Sequence, residues 1–266
     1  MRTAMKRSCD VYFYELVKKL GVDRLSETTK KFGLGKKVLE GFSEEKEGTV
    51  PNTKWKLSNL GKNWYLGETL HSGIGQGYYL TTPLQLCLMT AQIANGGYKI
   101  KPRIIVKDED DNNLKQYLKN EEVSNIGDLF NSKIEPLFRN QENINFIKDA
   151  MFASTNEPGG TSYRSRLTKK NNIFAGKTGS SQIKIFTEAQ REAEIKQEEI
   201  DYLSRDHALY IAFAPYHDPK YAISVVIEHG GSGSKAAAPI AKKVIKKVLE
   251  RDKIRSANTN SLGKEI

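Results

Sequence analysis

The chain has 266 residues, of which 38% are hydrophobic, and carries a formal net charge of +10. This length is sufficient for a buried core in one large domain or two modest ones. No stretch approaches the roughly 18 uninterrupted apolar residues that span a bilayer, and no apolar region follows the basic start, so the sequence as given predicts neither a signal peptide nor a membrane anchor.

The distribution of charge and the positions of the cysteines argue against a nucleic-acid partner and against a disulfide framework or zinc site. The charge is spread along the chain and becomes dense only at residues 242–247. No zinc finger, helix-turn-helix or RNA-binding signature accompanies it, so we expect no nucleic-acid partner. Cys9 and Cys87 belong to no CxxC or Cys/His cluster, which indicates neither a disulfide framework nor a zinc site. We therefore expect no metal and no cofactor.

The opening of the chain is predicted to be helical. Residues 11–20 carry apolar side chains at helical spacing and end at Gly21, a suitable C-cap. Asp23 can cap a second helix that runs to about Phe32. Residues 35–77 then change to glycine, proline, asparagine and isolated aromatics, which predicts a long structured excursion without regular elements.

A capped helix follows this excursion. Thr82 and Pro83 are a good N-cap and first-turn residue for a buried helix over residues 84–94. Residues 98–106 then predict a strand. The charged residues 107–142 predict a surface excursion that leads to a helix over 143–154.

The last third of the chain has the pattern of strands and a final helix. The predicted strands are residues 173–185, 207–215 and 221–228, and the predicted amphipathic helix is 236–251. Strands in succession followed by a helix favour an antiparallel sheet with the helix on one face. The strongly charged residues 187–205 predict an exposed insertion between the first two strands.

A lysine flanked by small residues lies on the first predicted strand, in the run Lys177-Thr178-Gly179-Ser180. Glycine lets a ligand lie close to the backbone, the lysine supplies positive charge, and the hydroxyls of Thr178 and Ser180 can donate hydrogen bonds to a carboxylate. The triplet alone also fits an edge strand with a glycine bulge. It is not a phosphate loop, because no glycine precedes it at the required spacing.

A second short motif, Ser8-Cys9-Asp10, stands before the first helix. Taken alone, serine and aspartate are ordinary helix N-caps. A Ser-x-Asp triplet followed by Lys-Thr-Gly is, however, part of the motif set of serine acyltransferases that act on penicillins, in which a Ser-x-x-Lys pair precedes both.

The most specific segment is the glycine-rich turn Gly75-Gln76-Gly77, which leads to the capped helix at Thr82. Here the chain resembles the class B penicillin-binding proteins, and the turn is similar to that of penicillin-binding protein 2, the cell-elongation transpeptidase. The segments Glu157-Pro158-Gly159-Gly160-Thr161 and Glu228-His229-Gly230-Gly231 agree with this resemblance. It covers nearly the whole chain, from about residue 2 to residue 249, with the motifs in one consistent order.

The resemblance implies an α+β fold, an α/β sandwich of the penicillin-binding and β-lactamase type, with an antiparallel sheet, flanking helices and an all-helical subdomain. We expect residues 1–251 to be an amino-terminally truncated transpeptidase domain. Residues 1–170 would be mostly helical and carry the Ser-x-Asp motif, and residues 171–251 would hold the sheet and the terminal helix. We expect residues 252–266 to be a disordered tail.

The resemblance also implies a site of six residues: Ser8, Asp10 and Lys177 as catalytic residues, and Thr178, Gly179 and Ser180 as substrate-binding residues. Ser8 would relay a proton to the leaving amine. Asp10 stands where many relatives have asparagine and would hold the serine, the missing lysine and the substrate amide. The backbone N–H of Ser180 would complete an oxyanion hole.

Ligands, partner and location are likewise implied. The ligands would be peptidoglycan stem peptides ending in D-Ala-D-Ala and the β-lactam antibiotics that mimic them. The partner would be a membrane glycan polymerase of the elongation machinery. The parent protein would reside in the inner membrane with this domain in the periplasm.

The nucleophile of such an enzyme is the serine of a Ser-x-x-Lys pair, whose lysine takes the serine proton. The sequence contains four such pairs: Ser43/Lys46, Ser181/Lys184, Ser232/Lys235 and Ser261/Lys264. None precedes Ser8, as the family's order requires. We therefore expect the catalytic serine and lysine to lie before Met1 or to be absent, and the isolated chain to be inactive and poorly stable.

Two other classes of function stay open at this point. One is a non-catalytic peptidoglycan-binding or scaffold module, in which the Lys-Thr-Gly strand holds stem peptides without reacting. The other is a serine β-lactamase or D,D-carboxypeptidase, against which the Gly75-Gln76-Gly77 segment argues.

Overall fold

A computed structural model describes residues 1–39, 42–104, 136–183 and 199–262, with backbone only from residue 255 onward. Helices α1 to α3 are Arg2–Arg7, Asp10–Leu20 and Val22–Lys31. Helices α4 to α7 are Thr53–Leu60, Leu66–Gly73, Pro83–Ala94 and Gln141–Asn156. Strands β1 to β3 are Ala175–Ser181, His207–Ala214 and Tyr221–Ile227, and helix α8 is Ala238–Leu262. None of the helices described here has the length and apolar character needed to cross a bilayer.

The two opening helices and the C-cap at Gly21 are confirmed, but Asp23 is not the N-cap of the second helix. Helix α2 ends at Leu20, and Gly21 both terminates it and serves as the N-cap of α3. The carboxylate of Asp23 instead accepts hydrogen bonds from the N–H and the hydroxyl of Thr53, each 3.0 Å long. Asp23 therefore ties α3 to the beginning of α4.

The excursion predicted over residues 35–77 contains two regular elements, so that prediction was wrong in part. Asn52 caps α4 by accepting a backbone hydrogen bond. Buried Lys56 of α4 forms a 2.5 Å ion pair with Glu68 of α5. Both helices are only eight residues long, and their buried side chains, Lys56, Thr69 and Ser72, are polar, so a search for apolar helical spacing does not find them.

The helix after the glycine-rich turn begins as predicted. The Thr82 side chain accepts a 3.2 Å hydrogen bond from the N–H of Gln85, and Pro83 occupies the first turn. The helix ends at Ala94, next to Asn95. Helix α7 is also confirmed, and it is longer than the predicted span 143–154.

The strand predicted over residues 98–106 is not formed in its described part, residues 98–104. Tyr98 makes only an isolated bridge to Pro136, and residues 99–104 have no strand geometry. Pro102 lies inside this run and has no N–H to donate to a ladder, which disfavours a strand. Residues 105–135, which hold the end of this strand and most of the surface excursion predicted over 107–142, lie outside the described residues.

The sheet is antiparallel, in the order β1-β2-β3, and all three strands are shorter than predicted. In its register Lys177 pairs with Ile211, and Gly176 pairs with Ala212. Among the described strands, both β1 and β3 pair with β2 alone. Of the predicted insertion, residues 187–198 lie outside the described part, and Tyr202–Ser204 form a 3₁₀ turn.

Helices cover both faces of the sheet. Alternating residues of β2, including Ala208, Tyr210 and Ala212, pack against α8. On the other face of the sheet, the side chains of Ala175 and Phe213 pack against α6 and α7. Because successive side chains of a strand point to opposite faces, this division places two apolar cores around one sheet. The predicted α+β sandwich is confirmed.

The last helix is longer than the predicted 236–251. It follows a π-helical turn at Gly233–Ala237 and continues to Leu262. Residues 252–262, which we expected to begin a disordered tail, therefore have helical backbone. Residues 263–266 lie outside the described part.

Candidate functional site

Ser8 lies at the junction of α1 and α2. It is the C-cap of α1, with φ 54° and ψ 56° in the left-handed region, and Cys9 is the N-cap of α2. A side chain other than glycine in this region costs roughly 1–2 kcal/mol of strain. The Ser8 hydroxyl does not cap α2, whose N-cap is Cys9, and it contacts Lys177 of β1 instead.

Charged pairs fix α1, and with it Ser8, against α7. Arg2 bonds to Asp149 and Glu157, with shortest distances of 2.5 Å to each, and Lys6 reaches Glu157 at 2.8 Å. The backbone carbonyl of Lys6 also accepts a hydrogen bond from Thr161 N–H. These contacts join the beginning of the chain to the Glu157-to-Thr161 turn recognised in the sequence.

Glu157→Gln is expected to lower the free energy of unfolding by about 1 kcal/mol at neutral pH, a value reduced for partial solvent exposure. Hydrogen bonds from Arg2 and Lys6 lower the pKa of Glu157 to about 2. A carboxylate with a lowered pKa stabilises the folded state above its ordinary pKa, and that contribution is lost as the pH falls toward the lowered value. The difference from wild type should therefore disappear between about pH 4.5 and about pH 2.

Urea unfolding of both proteins over this pH range measures the difference. Glu27→Gln, an exposed glutamate on α3, is the control and should leave stability unchanged. Equal stability of Glu157→Gln and wild type at neutral pH would show that the charged cluster does not hold α1.

The ammonium of Lys177 joins the two short motifs. Its Nζ donates a short hydrogen bond to the Ser8 hydroxyl and a 2.8 Å bond to the carbonyl of Thr178. Lys177 is two residues after Ala175 on β1, so the two side chains lie on the same face of the sheet, the face toward α1 and α7. Burial lowers the pKa of Lys177 to about 8, and the negative charge of Asp10 opposes that shift.

Asp10 occupies the first turn of α2 and is exposed. Because Ser8, two residues earlier, contacts Lys177, the Ser-x-Asp and Lys-Thr-Gly motifs lie at one site. The role implied for Asp10, holding the serine and a substrate amide, stays a prediction.

The remaining predicted residues line the outer edge of β1. The Thr178 hydroxyl donates a 3.0 Å hydrogen bond to the hydroxyl of Thr161. Gly179 is part-buried and Ser180 is exposed. Even-numbered residues of β1 direct their N–H and C=O groups to the edge away from β2, as the hydrogen bonds of Gly176 to Thr155 show.

A buried hydroxyl network supports the strand at Gly176 and was not predicted from the sequence. Thr155 accepts a 3.0 Å hydrogen bond from Gly176 N–H and lies 3.0 Å from the Tyr210 hydroxyl, which also contacts Ser162. Tyr210 is fully buried, which raises its pKa to about 12. The Gly160-Thr161 turn next to Ser162 was the available signal, but nothing in it indicates contact with β1.

Gln76, in the glycine-rich turn, is the second contribution that the sequence did not reveal. Its side-chain amide donates a 2.7 Å hydrogen bond to the carbonyl of Ser180, and its oxygen accepts one of 3.3 Å from Gln182 N–H. The turn thus contacts β1 directly beyond the Lys-Thr-Gly triplet.

Two of the four Ser-x-x-Lys pairs have their serine on or next to the site strand, since Ser181 is the last residue of β1 and Gly233, which follows Ser232, lies against Gly179. Ser43 and Lys46 lie in the loop before α4. Ser232 and Lys235 lead into α8, which packs on the face of the sheet opposite to Lys177. Lys184 and Lys264 lie outside the described residues.

Together these residues form an open strand edge with a cation and hydroxyl groups beside it. A carboxylate can bind such an arrangement through the Lys177 ammonium and the hydroxyls of Thr178 and Ser180. The Ser180 N–H, which faces the same edge, can stabilise a developing oxyanion. Over the described ranges, no three His, Cys, Asp or Glu side chains gather as a metal site.

Comparison with known proteins gives matches over most of the chain. The family model described as "Penicillin binding protein transpeptidase domain" matches residues 1–246. Peptidoglycan D,D-transpeptidase MrdA of Salmonella typhimurium (strain SL1344) is 33% identical over 242 residues, which are 91% of this chain and 37% of that protein. MrdA of Escherichia coli (strain K12) is 30% identical over 257 residues, with coverages of 97% and 37%.

Solved structures give the same result. PBP2 of Helicobacter pylori, in a complex with MreC, superposes with a TM-score of 0.73 at 29% identity and covers 94% of this chain. Pseudomonas aeruginosa PBP2, in complex with WCK 5153, gives 0.71 at 32% identity and covers 93% of this chain. The chain spans 40% and 48% of those two structures, and 37% of the length of the curated relatives above.

Proposed function

Because the chain belongs to the penicillin-binding protein transpeptidase family, we propose that it forms part of a peptidoglycan D,D-transpeptidase that cross-links stem peptides during cell elongation. The observation that carries this proposal is the hydrogen bond from Lys177 Nζ to the Ser8 hydroxyl. Ser8 and Lys177 are 169 residues apart in the sequence, and this hydrogen bond brings their motifs together at one edge of β1. Neither motif alone would indicate an acyl-transfer site.

The reaction exchanges one amide bond for another. A serine oxygen bonds to the carbonyl carbon of the penultimate D-alanine, the amide C–N bond breaks, and the serine proton passes to the departing amine of D-alanine. The amine of a second stem peptide then attacks the ester, forms the cross-link and returns a proton to the serine oxygen. β-Lactams acylate the same serine, but their product is resolved poorly.

The residues described here would bind the substrate and move a proton. Lys177 and Thr178 hold the terminal carboxylate of the donor peptide, and the Ser180 N–H bonds to the oxyanion. Ser8, in contact with the Lys177 ammonium, relays the proton toward the leaving amine.

The nucleophile is proposed to come from residues outside 1–266. Of the four Ser-x-x-Lys pairs, the two that are fully described lie in the loop before α4 and in the turn before α8, and neither precedes Ser8 in the sequence. Residues 1–266 alone would then bind without reacting. Strand β3 pairs only with β2 among the described strands, so its outer edge would also expose unpaired backbone groups and favour aggregation.

We also propose a location and a partner, by analogy with the family. We place the domain in the periplasm, carried by a protein of the inner membrane. A membrane glycan polymerase would supply the strands that the domain cross-links.

The proposal is tested with the longest open reading frame that contains residues 1–266. Its product, given a stem pentapeptide and an acceptor amine, should release D-alanine and form the cross-linked amide in equal amounts. Release without a cross-link would identify a carboxypeptidase, and hydrolysis of a chromogenic cephalosporin would identify a β-lactamase. Reversible stem-peptide binding without release, lost in Lys177→Ala, would identify a binding module.

Binding of a carboxylate ligand is expected to weaken as the pH rises through about 8. The charged ammonium binds the carboxylate, and burial lowers the pKa of Lys177 to about 8. Asp10→Asn removes the charge that raises this pKa, so the decline should move to lower pH. The rate constant of acylation by benzylpenicillin is measured on the product of the longest open reading frame from about pH 6 to about pH 10. The pH at which this rate constant has fallen by half is the midpoint of the decline.

Asp218→Asn, a change at an exposed aspartate between β2 and β3, is the control for this shift. It should keep the wild-type midpoint. An unchanged midpoint in Asp10→Asn would show that Asp10 does not act on Lys177.

A further inference from the structure

The Gly75-Gln76-Gly77 turn holds a single polar side chain against the sheet. Gly75 and Gly77 have φ angles of 75° and 76°, a region that favours glycine. The N–H of Gln76 donates a 2.9 Å hydrogen bond to the carbonyl of His71 at the end of α5. The backbone on both sides of Gln76 is therefore fixed, and its side chain is part-buried against β1.

The Gln76 amide occupies two positions that a neighbouring strand would use. It donates to the Ser180 carbonyl and accepts from Gln182 N–H. In an extended strand, residues two apart direct these groups to the same edge. At the other end of that edge, Thr155 similarly occupies both the N–H and the carbonyl of Gly176. The side chains of Thr155 and Gln76 thus lie at the two ends of the part of the β1 edge that is open to a peptide.

The direction of a bound donor peptide follows from the proposed function, on which this inference rests. With the terminal carboxylate at Lys177 and Thr178 and the reacting carbonyl at the Ser180 N–H, the rest of the donor extends along β1 toward Gln182. An amide N–H of the donor next to the reacting carbonyl then reaches the Ser180 carbonyl. Gln76 already donates to that oxygen at 2.7 Å.

We propose that Gln76 is a specificity-determining residue, which satisfies the Ser180 carbonyl in the free protein and gives way to an amide N–H of the acyl donor. A donor with such an N–H must displace the Gln76 side chain, and it replaces the hydrogen bond that it breaks. A donor without it leaves Gln76 in place. Removing the Gln76 amide therefore favours donors that carry the N–H, because they no longer compete with an internal ligand.

The test compares two β-lactams on Gln76→Met in the product of the longest open reading frame. Benzylpenicillin carries an acylamino N–H next to its reactive ring, whereas imipenem has a hydroxyethyl group there. The ratio of their acylation rate constants, benzylpenicillin over imipenem, should rise about twofold to tenfold, the range expected for one neutral hydrogen bond. Gln76→Glu, which presents no donor to the Ser180 carbonyl, should shift the ratio in the same direction.

Lys243→Met, a change at an exposed lysine on α8, is the control, because α8 packs on the face of the sheet opposite to Lys177. It should keep the wild-type ratio. Both rate constants are measured on one preparation, so a change in the folded fraction cancels in the ratio. An equal change for both β-lactams in Gln76→Met would assign Gln76 a purely structural role and overturn the inference. A wild-type protein that reacts with neither β-lactam would refute the proposed function, and the inference with it.

Discussion

In the product of the longest open reading frame that contains residues 1–266, Lys177→Met is expected to lower the rate constant of acylation by benzylpenicillin by about 100-fold or more without lowering the melting temperature. Removal of a preorganised charged donor from an acyl-transfer site has an effect of this order. Burial lowers the pKa of Lys177 to about 8, which means that the charged ammonium is less stable in the folded protein than in water. Methionine keeps the length of the side chain and removes the charge, which should leave stability unchanged or raised.

Lys243→Met, at an exposed lysine on α8, is the control and should react at the wild-type rate. Labelling kinetics and thermal unfolding are measured on the same samples. A Lys177→Met protein that reacts like wild type would remove Lys177 from the site. One that loses both reaction and folding would assign it a structural role.

Gly176→Ala is expected to destabilise the protein by about 3 kcal/mol, the upper end of the range for overpacked cores. A Cβ atom at this position would lie 2.6 Å from Cζ of Tyr210 and 2.7 Å from the carbonyl oxygen of Ile211. Tyr210 is fully buried and its hydroxyl is bonded to Thr155 and Ser162, so it has little room to move.

Gly179→Ala is a matched control on the same strand. Its nearest neighbour would be the Cβ of Leu209 at 3.4 Å, an ordinary contact, so the change should cost less than about 0.5 kcal/mol. Urea unfolding measures both free energies. Equal stability of the two variants would contradict the close packing of β1 on Tyr210.

Local signals predicted the capped helix and the strands because each depends on neighbouring residues. Thr82 and Pro83 are adjacent to the helix that they begin. The apolar runs of β2 and β3 also read directly as strands. Helices α4 and α5 were missed because each has only eight residues and buries polar side chains, Lys56 in α4 and Thr69 and Ser72 in α5.

Of the site, only the residues inside the recognised sequence motifs were predicted. Ser8, Lys177 and Thr178 were named because the order of their motifs resembles one family, and the contact of Lys177 with Ser8 fits that assignment. The contact of Gln76 with Ser180 joins residues 104 positions apart, and no local pattern encodes such a pair. Thr155 was missed for the same reason, since it reaches β1 from a helix 21 residues earlier.

Labelling with a fluorescent penicillin tests the central proposal most directly. The product of the longest open reading frame and residues 1–266 alone are treated in parallel, and the labelled peptide is identified by mass spectrometry. We predict a label on the longer product only, at the serine of a Ser-x-x-Lys pair that precedes Met1. A label on any serine within residues 1–266, or no label on either protein, would contradict the account.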